Sequence, residues 1–386
     1  MARVLNEGRV GTPEVYAMTI ILLSGKIFLA LPQQMAKLGT TAGWMIVAVA
    51  TVAGLAGFGI IAALMRRFPD HSIVEVSEQV AGTFFGLVAS LAFFAFFLAL
   101  TIIILRQFTE TVISTVLPQT PISIVTAIFV IALVFGCYQG LEAITRLALL
   151  ASPFLLLGAI TILLMSMPFA NFDYLFPFWG VGLPKVLTTG VKHSAFMSEI
   201  LILPLIYPAL RDHGRFTSIG LGSVSVSGVL MALYSAQLLA VFSVAEASRS
   251  AFPAYQLARL IWFGRFVQRV ESVFIFMWVL TGLLQMTIAL YGATVTLSRL
   301  LHLSVYRPLL PAMGIIVYTL GFVPPNFPTI VRLDTEIIHV YGSIVSFGIP
   351  LILLVIAWFR GQAPEGRGGA EPQKERGAPQ GRRKNA

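Results

Sequence analysis

The sequence predicts an all-α integral membrane protein of ten transmembrane helices, arranged as a 5+5 inverted repeat in which helices 1 and 6 are broken. Three observations carry that prediction. The 386-residue chain is 57% hydrophobic and only 11% charged, against about 25% charged residues in an ordinary soluble domain. It holds ten apolar runs, each close to the ~20 residues that a ~30 Å hydrocarbon layer asks of a helix. The first and sixth runs carry matching interruptions: a small residue, a charge, a short apolar stretch and a proline.

The runs cover residues 13–36, 43–64, 83–105, 121–137, 143–165, 189–208, 219–243, 271–298, 308–325 and 337–359. The first follows a polar stretch over residues 1–9 and lacks a small-residue cleavage site, so it reads as a retained helix rather than a signal peptide. Between the second and third runs, residues 70–80 open with a cap and carry apolar residues near helical spacing, which predicts a short interfacial helix. Arg106 with Glu110, and Glu142 with Arg146, have i, i+4 spacing near helix ends and read as structural pairs. The single cysteine, Cys137, ends the fourth run and leaves no disulfide framework. A polar-aromatic connector from Met167 to Thr189 is the seam between the halves. Residues 252–261, between the seventh and eighth runs, set arginine against Leu and Ile and form a second amphipathic candidate. The division is therefore 1–165 for the first five-helix repeat with its N-terminal segment, and 166–360 for the second repeat with its connector. Residues 361–386, rich in Gly, Pro, Gln and Arg, form a disordered basic tail near anionic headgroups.

Five helices per half is an odd number, so the halves cross the membrane in opposite senses, the arithmetic of an inverted repeat. Helix 1 carries Ser24-Gly25-Lys26-Ile27-Phe28-Leu29-Ala30-Leu31-Pro32 and helix 6 carries Ser198-Glu199-Ile200-Leu201-Ile202-Leu203-Pro204. Proline removes a backbone donor and clashes with the preceding turn, and glycine loosens the helix further. Two interrupted helices in corresponding positions point to a transporter-type binding site. Orientation follows the positive residues. With both termini cytoplasmic, sixteen of the 26 Lys and Arg fall inside, seven of them in the tail. The outer side holds nine: Lys37, Arg106, Lys185, Lys192, Arg249, Arg259, Arg265, Arg269 and Arg332. Without the tail the two sides tie at nine each. This spread removes the nucleic-acid reading that a net charge of +9 invites.

Lys26 lies about 20 Å along the helix from Pro13 at 1.5 Å per residue, deep for a snorkelling side chain. An ionisable group at that depth costs at least ~2.5–3.5 kcal/mol, so it normally faces the bundle interior or water; the alternative is a helix that starts later and leaves Lys26 at an interface. Glu199 obeys the same logic, and the two are expected to meet across the broken helices. The competing reading is a buried ion pair that only fixes packing. Ser24, Gly25, Lys26, Ser198 and Glu199 at the breaks, with Phe97 and Thr101 on the third run and Thr281 and Gln285 on the eighth, are the candidate ligand-binding residues of a cavity between helices 1, 3, 6 and 8. Such hydroxyls and amides also bond neighbouring backbone inside helix bundles. No enzyme signature is present. His71, His193, His213, His302 and His339 are scattered, and one cysteine cannot build a metal site. No Walker loop or dinucleotide fingerprint occurs, so neither a cofactor nor nucleotide-driven transport is expected.

Four stretches resemble the spore germination receptor B-subunits (GerAB type), within the amino acid/polyamine/organocation transporters. They are Phe196-Met197-Ser198-Glu199 leading to Leu203-Pro204 and Tyr207-Pro208; residues 252–261 continuing through Gly264, Phe266 and Gln268-Arg269-Val270-Glu271; Pro324-Pro325-Asn326-Phe327; and the ten-helix layout itself. The resemblance implies a small-molecule site at the broken helices and a subunit that senses a germinant, usually an amino acid. It also implies A-type and C-type receptor subunits as partners, in the inner membrane of a bacterial spore. A proton-coupled amino-acid permease is the alternative. Two departures stand out: Ser198 replaces the family's glycine, and Lys26 puts a cation where an amino-acid binder would expose backbone amides. That ammonium could hold a ligand carboxylate, stand in for a coupling cation, or be neutralised by Glu199.

Overall fold

A computed structural model describes residues 8–250, 252–261 and 270–361, with the side chains of residues 270–274 excepted. The motif positions Gly264, Phe266, Gln268 and Arg269, the Glu271 side chain and residues 362–386 of the tail lie outside the described residues. Among the described residues the secondary structure is helical apart from one isolated β-bridge.

Helix α1 (Thr12–Ser24) places Pro13 in its first turn, where the missing N–H has no partner to lose. A 3-10 turn, Gly25–Phe28, follows, and Leu29 leaves the helix at φ −104°, ψ −152° before α2 (Leu31–Gly39) restarts with Pro32 in its first turn. Helix α3 (Gly43–Met65) returns. Helix α4 (Ile73–Thr115) opens on a capping box in which Ser72 and Glu75 satisfy each other's backbone N–H groups. Gly82, at φ 82°, interrupts it. The short helix expected over residues 70–80 is thus the part of α4 before Gly82. It does not lie free on an interface: Ile73, Val74, Val76 and Val80 are buried. Helices α5 (Ile122–Gln139) and α6 (Leu141–Ser166) are joined by Gly140 alone, at φ 92°, a conformation open to glycine without a Cβ clash.

The sixth run is as broken as the first. Helix α7 (Leu183–Lys192) gives way to a 3-10 stretch, Ser194–Leu201, and then to the single turn of α8 (Ile202–Leu205) containing Pro204. Helix α9 (Phe216–Ala247) bends at Ser243, φ 59°. Helix α10 (Pro253–Leu260) occupies the second amphipathic candidate and buries Ala254, Leu257 and Ala258. Helices α11 (Val270–Leu300) and α12 (Leu310–Leu320) follow. The last stretch consists of α13 (Phe327–Leu333), a π turn at Asp334–Ile338, α14 (His339–Ser343), a second π turn at Ile344–Gly348, and α15 (Ile349–Phe359). It begins ten residues before the expected 337, because Arg332, Asp334 and Glu336 depress the local hydropathy of a segment that is nonetheless helical.

Seven described helical stretches are long and apolar enough to cross a membrane, with α12 as a shorter apolar helix. Ten were expected. The first and sixth runs are cut by their breaks into shorter pieces, and α12 has 11 residues. Large apolar side chains such as Phe85, Ile131, Leu150, Phe276 and Phe359 are 66–76% exposed. An apolar surface of that extent is suited to lipid rather than water.

The broken helices lie inside this shell. Helix α1 packs on α6 and α9, α3 on α9, and α11 along α4. Small residues permit close approach: a Cβ on Gly54 would sit 2.7 Å from Met197, and one on Gly228 would sit 2.2 Å from Thr51. Val10 N–H donates to the Ala209 carbonyl at 2.9 Å and Arg211 N–H to the Val10 carbonyl at 3.0 Å. The start of the first run and the end of the sixth therefore share one face of the molecule.

Candidate functional site

Lys26 is carried on the 3-10 turn after α1, and Glu199 on the 3-10 stretch after α7. Their charges meet, with Lys26 Nζ 2.9 Å from Glu199 Oε2 and side chains only 7% and 3% exposed. Lys26 also donates to the Phe196 carbonyl oxygen. Lys26 is therefore held in the protein interior rather than at an interface, and its partner in this structure is Glu199. Each charge alone at this depth would cost several kcal/mol, on the order of the effective penalty for one buried ion. Pairing in contact is the arrangement that offsets it.

The other candidate residues divide into two groups. Ser24 donates to Ser227 Oγ of α9 at 3.0 Å. Gln285 donates to the Leu22 carbonyl at 3.1 Å and packs so tightly on the first break that a Cβ on Gly25 would lie 2.3 Å from its Oε1. Ser198 donates to the Ala195 carbonyl at 2.6 Å and faces Gly342 of α14. These residues surround the two breaks with Lys26 and Glu199. Thr101 and Thr281 instead donate to carbonyls one turn back, those of Phe97 and Met277, each at 2.8 Å. Phe97 lies against Gly292 and Phe96. The contacts of these three are with α4 and α11 rather than with the ion pair. All of these candidate residues are buried.

Residues that the sequence did not assign to the site complete the polar centre. Asp334, on the first π turn, accepts from Gln107 Nε2 at 3.0 Å and lies 3.3 Å from His339 Nε2. The Gln34 amide sits beside Asp334, and the Lys26 charge acts on both Asp334 and His339. His193 and His339, read as scattered, flank one ring: Phe196 lies 5.7 Å from His193 and 4.4 Å from His339. The available signal was the pair Asp334 and His339, five residues apart. That spacing meets on a π turn and not on an α-helix. π turns recur at functional sites in helices.

A cavity of about 640 Å³ opens between the ends of α2 and α7 and the start of the last helical stretch. Its walls include Gln34, Lys37, Lys192, His193, Arg332 and Glu336. It therefore sits beside helices 1, 6 and 10, not where helices 1, 3, 6 and 8 were expected to leave room. Through Gln34 it reaches Asp334, and so approaches the Lys26–Glu199 pair.

A family model described as "Spore germination protein" matches residues 9–328. The chain belongs to the spore germination protein family. Among relatives in Bacillus subtilis (strain 168), spore germination protein KB is 24% identical over 383 residues, covering 96% of this chain and all of the relative. Spore germination protein YndE is 28% identical over 331 residues, covering 82% of this chain and 87% of the relative. Spore germination protein B2 is 20% identical, with 89% and 94% covered. Among solved structures, a substrate-bound, outward-open Na+-coupled sialic acid symporter superposes with a TM-score of 0.65 at 12% identity, covering 91% of this chain and 80% of that one. This chain thus shares the fold of that symporter, and the likeness extends to the fold alone.

Proposed function

We propose that this chain is the germinant-sensing membrane subunit of a spore germination receptor, and that it binds a small molecule, an amino acid, at the broken helices. The observation that carries the reading is the Lys26–Glu199 contact between two interrupted helices, in a chain of the spore germination family. Ser24, Gly25, Ser198 and Gln285 supply the polar and small surfaces around that contact, while Phe97, Thr101 and Thr281 belong to the α4–α11 packing beyond it. The ten-helix 5+5 inverted repeat, divided as 1–165 and 166–360, is part of the same proposal. It is supported by the correspondence of the breaks and by the Val10–Leu210 bridge that joins opposite ends of the two helices. Its partners are A-type and C-type receptor subunits, and its place is the inner membrane of the spore with both termini cytoplasmic.

Binding must favour one conformation over another, since equal affinity for two states shifts nothing. A ligand carboxylate competing with Glu199 for Lys26 supplies such a difference, because it loosens the tie between the helices. In spores, Glu199→Gln and Lys26→Ala should abolish ligand-triggered germination when compared at matched protein level. A normal response in both variants removes the pair from the site.

A second reading is favoured by the contiguous buried set Lys26, Glu199, Asp334 and His339: a proton-coupled amino-acid permease, in which one member changes protonation in the cycle. Uptake of radiolabelled amino acid into proteoliposomes, driven by a pH gradient, would support it over the receptor.

A further inference from the structure

We infer that the mouth between α2, α7 and α13 is a binding site for a small soluble molecule that carries two or more carboxylate groups. Four cations line it, each from a different part of the chain: Lys37 near the end of α2, Lys192 at the end of α7, Arg249 after α9, and Arg332 on α13. Glu336 is the one acidic side chain among the lining residues. None of the four cations is in an ion pair within 4.0 Å among the described residues. Like charges around one concavity repel, and a cleft lined by one sign of charge focuses its field on an entering ligand of the opposite sign.

The mouth also has a ligand-sized volume and a buried polar side chain in its wall. Its volume of about 640 Å³ falls in the range of small-molecule sites, roughly 300–1,000 Å³. Gln34 lines it at 3% exposure, and although its amide lies beside Asp334, neither Nε2 nor Oε1 makes a well-formed hydrogen bond. The four positive groups come from four separate parts of the chain around the opening. That arrangement matches charge distributed over several carboxylates better than one compact phosphate.

All four cations belong to the set that the charge count put on the outer side, where Lys and Arg run against the usual bias. The inference stands on the geometry of the mouth and survives failure of the germinant proposal.

The test uses the full chain in nanodiscs of zwitterionic lipid, titrated by calorimetry with citrate, glutamate, inorganic phosphate and glycine. Citrate should bind most tightly and glycine least, with citrate affinity falling as salt is raised. The double substitution Lys192→Gln/Arg332→Gln should weaken citrate by about tenfold or more, the factor that corresponds to 1.4 kcal/mol. Arg146→Gln, at an exposed cation outside the mouth, should leave citrate binding unchanged, which separates this site from general surface charge. Absence of citrate binding, equal affinity in the double variant, or phosphate binding more tightly than citrate would overturn the assignment. Loss of citrate binding on adding anionic phospholipid would identify a lipid headgroup as the occupant and overturn the soluble ligand.

Discussion

Removing one end of the buried ion pair should cost far more than removing both. At 2.9 Å and an effective dielectric of about 20, the attraction between Lys26 and Glu199 is about 6 kcal/mol before desolvation. With side chains 7% and 3% exposed, the desolvation of both groups consumes most of it. Lys26→Met leaves Glu199 buried without its cation, and also takes away the positive charge that acts on Asp334. Glu199→Gln strands the ammonium, which keeps only the Phe196 carbonyl. Each single change should therefore destabilise by about 3–5 kcal/mol, whereas replacing a buried pair with groups of similar volume is often neutral or better. The double variant Lys26→Met/Glu199→Gln should cost about 1 kcal/mol or less, so the coupling in a double-mutant cycle is about 5 kcal/mol or more. The assay is chemical unfolding of the purified protein in one detergent, followed by tryptophan fluorescence. Single changes costing below about 1 kcal/mol and adding without coupling would match a solvent-screened pair and refute the buried contact.

Two further predictions concern backbone positions. Gly25→Ala places a methyl 2.3 Å from Gln285 Oε1, so Gln285 must give up its bond to the Leu22 carbonyl; the expected loss is about 1–3 kcal/mol, and adding Gln285→Ala should restore thermal stability by making room. Gly140→Ala forces an L-residue to φ 92° between two helices, which should lower stability by about 1–3 kcal/mol and reduce yield without altering ligand response in the protein that folds.

The parts of the fold that lipid dictates were legible in the sequence. Apolar runs announce themselves by length, and each of the ten overlaps a helical segment, seven described stretches being long enough to cross a membrane. The breaks at Gly25 and Ser198 were readable because proline and a buried charge stood in corresponding places. The Lys26–Glu199 contact was readable because neither charge is tolerable alone at that depth. Asp334, Gln107 and His339 were not. Arg332, Asp334 and Glu336 disguise the start of the last helix as a loop, and the π turn pairs positions five apart, which a period of 3.6 never flags. The cavity was equally hidden, since Lys37, Lys192, Arg249 and Arg332 are far apart in the chain and only packing gathers them.

That gathering changes the weight of the charge count. Inside and outside tied at nine each once the tail was omitted. Residues kept on a surface by the solute they face say nothing about which side the insertion machinery retained. With the four mouth cations set aside, the comparison becomes nine against five. Under the proposed ligand site the same two amino acids would serve as address and as bait, and setting the bait aside would favour cytoplasmic termini without recourse to the tail.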